Sequence, residues 1–280
     1  MKIYFHQFNL NPISALNAME SDHPREGVFL MGKNNTDTTF WEYFPHPELG
    51  DETVDEFLTD FKYAHSIFKQ KALFRLINPL ELRNHLTFLN HELYRNGSEL
   101  TSKIIKFKLL NNNDFRFLKL IENGHHLRLD ANGIFNRQSW TAFEQNIPKK
   151  FQSFIEYIED PLKDLDWSNI PIKSAQDFIS GEPFQIKIYK PYREFFPHVN
   201  CPIIFSASMG HFLGTYHTYL ELIHFGDLTL HHGIVTPMLY KNVPFLFTQK
   251  APETFIFNIE MFDAFKKELL NLKWTHLCTI

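Results

Sequence analysis

The chain has 280 residues, 44% of them hydrophobic and 16% aromatic, with 30 Phe; that is ample for one large domain or two and excludes a disordered protein. A net charge of −4 without any Lys/Arg block excludes the basic stripe that a nucleic-acid partner requires. No run approaches ~18 apolar residues, so no membrane insertion is expected. The N-terminal stretch carries Lys2, His6 and Gln7 and no apolar core, so it does not read as a signal peptide. Two isolated thiols, Cys201 and Cys278, fit a reducing compartment, and a cytoplasmic protein is expected, monomer or small homo-oligomer.

In chain order, residues 2–8 alternate as a strand. Residues 27–33 and 38–44 are β-rich runs joined by Asn34, Asn35, Thr36 and Asp37, a hairpin signal. Residues 51–71 place Val54, Phe57, Leu58, Phe61, Ala64, Ile67 and Phe68 at helical spacing and predict one amphipathic helix. A second helix is predicted over residues 80–94, stopped by Asn96-Gly97. Residues 1–95 therefore read as a small α+β unit.

From residue 96 to 280 the texture changes. Short apolar runs recur at 104–109, 126–129, 154–158, 170–172, 184–188 and 202–205, with helix-period segments at 138–151 and 211–223. This is the βαβα rhythm of a parallel sheet. If that sheet closes into a barrel, chemistry belongs at the carboxyl ends of its strands. The link over residues 192–200 is too short for a full helix.

Three acids follow such strands: Asp130 in RLDANG, Glu159 in YIEDPL and Asp177 in SAQDF. Carboxylates converging on one barrel mouth repel unless a cation neutralises them, and oxygen-only ligands select a hard ion such as Mg²⁺. Singly, each acid reads equally as a helix cap or loop residue. Lys106 and Lys108, two apart in IIKFKLL, point to the same side of a strand, and Lys190 ends another. Turned inward, they would be crowded and desolvated, which lowers a lysine's pKa toward that of a general base; turned outward, they would merely solvate the surface. The 15 histidines show no zinc-ligand spacing.

The ordered series KFK, RLDANG, YIEDPL, SAQDF, IYKP, SASMG and HHGIVT resembles the barrel strands of the muconate-lactonising subgroup of the enolase superfamily, and in particular the o-succinylbenzoate synthases. REGVFLM followed by WEYFPHPELGDET resembles their capping-domain hairpin and loop. The resemblance implies an enolase-superfamily (β/α)7β-type barrel, residues 96–280, behind an N-terminal α+β capping domain, residues 1–95, joined by part of the C-terminal segment after residue 242. It implies Lys108 as catalytic acid/base with Lys106 beside it, Lys190 on the opposite face of the substrate, and Asp130, Glu159 and Asp177 as ligands of Mg²⁺, with Mn²⁺ as a substitute. Ser206 and Ser208 would line the region that receives a succinyl arm, and the loop over residues 46–51 would close the pocket on a small carboxylate substrate. The implied activity is a Mg²⁺-dependent dehydration in menaquinone biosynthesis. The chain departs from the pattern at KSAQDF, where an Asp-Glu pair is usual, at Gly210, where a Glu is usual, and at Trp41-Glu42-Tyr43, which lacks the usual glycines.

Three other readings stand beside this one. An N-acylamino-acid racemase or dipeptide epimerase would use Lys108 and Lys190 as two bases. A cycloisomerase fits the N-terminal loop less well. A non-catalytic barrel serving as a binding protein is opposed by the intact set of lysines and acids.

Overall fold

A computed structural model describes residues 1–13, 23–82, 86–95, 99–162, 172–177, 184–236, 239–240 and 246–280. The N-terminal part opens with β1 (Lys2–Leu10), β2 (Arg25–Lys33) and β3 (Thr38–Tyr43), an antiparallel meander. Asn34 closes the β2–β3 turn by accepting from the Thr36 and Asp37 N–H groups (2.9 and 2.6 Å). The single helix predicted over residues 51–71 is instead two: α1 (Val54–Leu58) and α2 (Ile67–Ile77), with a 3-10 turn at Phe61–Tyr63 between them. The break lies at Asp60 and Ala64, whose positive φ values (51° and 49°) reverse the chain. Thr53 and Ser66 restart it as N-caps. Val54, Phe57, Phe61, Ala72 and Leu76 still share one core, so the periodicity marked burial correctly and continuity wrongly.

The helix predicted over residues 80–94 is also overturned. Residues 83–85 and the Asn96-Gly97 stop lie outside the described residues, and between them the chain forms β4 (Thr87–Asn90) and β5 (Glu92–Leu93). Their apolar spacing suits either period in so short a run. Partners distant in sequence on both sides make it a strand.

The barrel continues through β6 (Ile104–Lys108), α3 (Phe117–Glu122), β7 (His126–Asp130), α4 (Arg137–Gln145), α5 (Lys149–Gln152) and β8 (Ile155–Glu159). Pro148 divides the helix expected over residues 138–151 into α4 and α5. Then come β9 (Ser174–Gln176), β10 (Ile186–Tyr189), β11 (Ile203–Phe205), α6 (Phe212–Phe225) and β12 (His231–His232). The strand expected at 170–172 falls partly outside the described residues; β9 begins at Ser174 and delivers Asp177 directly. Strands β5 to β11 form one parallel seven-stranded sheet. A parallel bridge from Ser206 to Gly233 carries β11 onto the segment just after β12, and β12 pairs with β4. The His91 N–H, between β4 and β5, donates to the His232 carbonyl (2.9 Å), so the sheet curls round and closes. This is the α/β barrel that the resemblance implies, and it takes in residues from Thr87 onward, ahead of residue 96.

The chain ends with a hairpin of β13 (Phe247–Ala251) and β14 (Thr254–Phe257) on the outer edge of β4, then α7 (Ile259–Asn271) and β15 (Thr275–Thr279). β15 pairs antiparallel with β1 and completes the N-terminal sheet. No helix among the described residues is long and apolar enough to cross a membrane.

Two buried polar junctions fasten cap to barrel. Lys71 and Arg75 of α2 both reach Glu221 Oε1 of α6 (2.9 and 2.6 Å), whose other oxygen accepts from the Tyr189 hydroxyl (3.0 Å). Glu42 of β3 accepts from the His211 and Gly214 N–H groups (2.6 and 2.7 Å), capping α6, which has no side-chain cap of its own. This accounts for two departures at once: a Cβ at Gly210 would lie 2.3 Å from Glu42 Oε1, so the cap's carboxylate fills the space beside the bare glycine.

Burial pushes the Glu42 carboxyl up from 4.5 to about 8, against the two N–H groups that lower it. Its protonated form is therefore the stable one in the fold, and its contribution is complete below pH 4.5 and lost as pH rises through about 8. Glu42→Gln, which keeps the neutral shape, should flatten the fall of Tm between pH about 5 and about 8. The difference in slope should amount to a few kcal/mol. Identical pH profiles by thermal denaturation would show that Glu42 is ionised in the fold.

Candidate active site

Alternation along β6 sets the site. Ile105 and Phe107 pack outward into the core beneath α3 and α4, which leaves Lys106 and Lys108 facing the barrel interior. The parallel register then places Lys108 beside Asp130, and Asp130 beside Glu159, on one level at the strands' carboxyl ends. Asp177 follows β9, Lys190 follows β10 and Ser206 follows β11.

Lys106 Nζ sits between two acids, 3.1 Å from Asp130 Oδ2 and 2.8 Å from Glu159 Oε2. Lys190 Nζ is ion-paired with Asp177 Oδ2. A cavity of about 210 Å³ opens above them, lined by Lys106, Lys108, Asp130, Asp177, Lys190 and Ser206. Its apolar wall includes Leu49, Leu93, Met209 and Phe212. Glu159 lies just behind this wall and is 1% exposed. Ser208, in contrast, is placed outside the lining: its hydroxyl faces Gly214 and its carbonyl binds His46 Nε2 (2.7 Å). Of the two serines, only Ser206 faces the cavity.

The three lysines are electrostatically unequal. For Lys106, burial lowers the pKa, but the carboxylates of Asp130, Glu159 and Asp177 outweigh it and hold the ammonium well above its usual range. Lys108 is pushed down by burial, with the charges of Lys106 and Lys190 adding to the effect against Asp130. Burial raises Glu159 well above the carboxylate range, and Asp130 and Asp177 push the same way. Asp177 is held below it, because Lys190 and Lys106 outweigh its burial.

Among the described residues, no three acids or histidines stand at ready-made metal spacing. The donor set nevertheless fits a hard divalent cation. It is all oxygen, the mutual repulsion that lifts Glu159 is what a dication relieves, and Asp177 Oδ1 is buried without a hydrogen-bond partner. Asp130, Glu159 and Asp177 are the residues to hold such an ion, with Lys106 occupying the space between two of them.

The loop over residues 46–51 is anchored to the barrel. Asp51 accepts from the His46 N–H (2.8 Å) and pairs with Arg193 (2.9 Å), while Leu49 reaches the cavity. Gly50 makes the turn at φ 88°, where a side chain would be strained. Sequence reasoning missed two further cavity residues, Arg193 and His91. Arg193, three residues past Lys190, obeys the same strand-end rule and was open to discovery. His91 was hidden by the helical reading of residues 80–94.

Comparison with known proteins agrees with this geometry. The family pattern described as "O-succinylbenzoate synthase, N-terminal domain" matches residues 3–73. An o-succinylbenzoate synthase of Bdellovibrio bacteriovorus is 24% identical over 289 residues, covering 86% of this chain and 88% of that protein. The o-succinylbenzoate synthase of Thermosynechococcus elongatus, solved with Mg in its active site, superposes with a TM-score of 0.64 at 14% identity, over 96% of this chain and 100% of that one. The L-Ala-D/L-Glu epimerase of Bacillus subtilis superposes with a TM-score of 0.67 at 11% identity, over 92% and 96%. The structural likenesses establish the fold, that of the enolase superfamily.

Proposed function

We propose that this chain, an enolase-superfamily barrel that resembles the o-succinylbenzoate synthases, is a Mg²⁺-dependent hydro-lyase. Its substrate would be 2-succinyl-6-hydroxy-2,4-cyclohexadiene-1-carboxylate and its product o-succinylbenzoate, a step of menaquinone biosynthesis. The observation that carries the reading is Lys108: a lysine driven toward its neutral form, in register with Asp130, lining the same cavity as Lys190.

Asp130, Glu159 and Asp177 would hold Mg²⁺, and Mn²⁺ in its place. The bound ion would engage the substrate carboxylate and stabilise the negative charge that grows there as the neighbouring proton leaves. Lys108 Nζ takes that proton from the ring carbon. It then returns it to the hydroxyl departing from the same face, so water leaves, a carbon–carbon double bond forms and the ring becomes aromatic. Lys190, fixed by Asp177, presents a positive charge to the anion. Lys106 keeps Asp130 and Glu159 together. The loop over residues 46–51, tied to Arg193, excludes water.

The runner-up is an N-acylamino-acid racemase or dipeptide epimerase, since both lysines line one cavity. The pairing of Lys190 with Asp177 suits a fixed cation better than a second base, which favours dehydration. The test is the purified protein with Mg²⁺, given the cyclohexadiene substrate on one side and an N-acylamino acid in deuterated water on the other. Dehydration should be the faster by at least about 10²-fold, the gain that a matched proton-transfer arrangement confers. Rapid α-deuteration with negligible dehydration would promote the runner-up.

A further inference from the structure

His91 stands where the strand leaves β14 and joins β6. Its backbone is held from both sides: the N–H donates to His232 (2.9 Å) and the carbonyl accepts from the Asn90 side chain (2.7 Å). Its buried ring lines the cavity. Arg128 Nη1 lies 3.1 Å from His91 Nδ1. A guanidinium only donates, so Nδ1 accepts and the ring proton belongs on Nε2. Arg128 is itself clamped by Glu156 (2.7 Å) and the His231 carbonyl (2.6 Å). Burial, helped by the charges of Arg128 and Lys106, holds the imidazole well below its usual range, so the ring stays neutral.

The other ring nitrogen is available. Among the described residues, the bond to Arg128 is the ring's one hydrogen bond. Gly233, the glycine of HHGIVT, shows where Nε2 lies: a Cβ there would meet His91 Cε1 at 2.8 Å, Nε2 at 2.9 Å and Ser206 Oγ at 3.5 Å. The bare glycine thus lets the imidazole and the Ser206 hydroxyl flank one stretch of backbone, both lining the cavity.

We propose that His91 is a specificity-determining residue whose Nε2–H, fixed by Arg128, donates to a carbonyl or carboxylate oxygen on the substrate's arm, beside Ser206. This rests on the dehydratase reading, which supplies an oxygen-bearing arm. A fixed N–H left without an acceptor is costly, so the site rejects ligands that lack one.

The test measures binding of o-succinylbenzoate and of benzoate, which has no arm, to the Mg²⁺-loaded protein by calorimetry, alongside steady-state dehydration. His91→Leu should weaken o-succinylbenzoate binding and raise KM about 10–100-fold, the effect of one hydrogen bond to a polar or charged oxygen. Its kcat should stay within about threefold and its benzoate affinity should not change. His91→Gln, which offers an N–H at similar reach, should recover most of the loss. Equal weakening of both ligands, no weakening of either, or no recovery in the Gln variant would overturn the inference. A wild-type protein that binds o-succinylbenzoate but does not dehydrate the substrate fails the reaction reading alone, because the binding ratio needs no turnover. A wild type that binds no o-succinylbenzoate overturns the inference itself.

Discussion

Lys108→Ala should lower kcat about 10³–10⁴-fold, because one group would be lost that both takes the proton and returns it. The fold should survive, since the substitution removes a buried cation from a neighbourhood already crowded by Lys106 and Lys190. Near-UV circular dichroism should be unchanged and Tm should stay within a few degrees. In the wild-type protein, kcat/KM should rise with pH as Lys108 loses its proton, with the limb displaced below the ordinary lysine value of 10.5 by burial and the two neighbouring charges. That limb should vanish from the residual activity of the Ala variant. A variant within tenfold of wild type would move the base to another residue.

Stripping divalent ions with EDTA should bring turnover to background, a loss of more than about 10³-fold, since charge stabilisation at the carboxylate supplies several kcal/mol. Mg²⁺ should restore it, and Mn²⁺ should substitute. The same ion should stabilise the fold, because it binds the native acid cluster and not the unfolded chain. At 100 times its dissociation constant the gain is about 2.7 kcal/mol. Glu159→Gln removes one of the three charges and should shift both titrations to higher Mg²⁺ concentration. Activity indifferent to EDTA, together with a Tm indifferent to Mg²⁺, would refute the assignment of Asp130, Glu159 and Asp177 as a metal site.

The catalytic constellation was legible because its signal is local. Each acid ends a short strand, and the strand's alternation says which side Lys106 and Lys108 face; the register of β6, β7 and β8 then brings these residues to one level without further information. Asp177, on an atypical fifth-strand sequence, was still found because it follows β9 directly. The features that escaped depend on distant partners. Residues 87–93 carry apolar spacing that suits a helix, and only β12 and β14, far along the chain, decide for a strand. With that strand misread, His91 could not be placed in the cavity. Glu42 was visible as a departure from the hairpin pattern, but its use as the cap of α6 requires a helix that begins on the far side of the barrel sequence. The two-part helix of residues 54–77 turns on positive φ at Asp60 and Ala64, to which a hydrophobic periodicity is blind.

The pairing of β1 with β15 has a consequence for the order of folding. It joins Lys2 to Thr279, so the cap sheet depends on a contact spanning nearly the whole chain. The entropy of closing such a loop grows only logarithmically, and stability suffers little. The rate suffers more, because long-range pairings must wait for a conformational search that local contacts escape. Until residues 275–279 arrive, β1 presents an unpaired strand edge, a template for pairing with other chains. Productive folding is therefore a race between β15 and intermolecular association at that edge, and dilution or slow release of the chain favours β15.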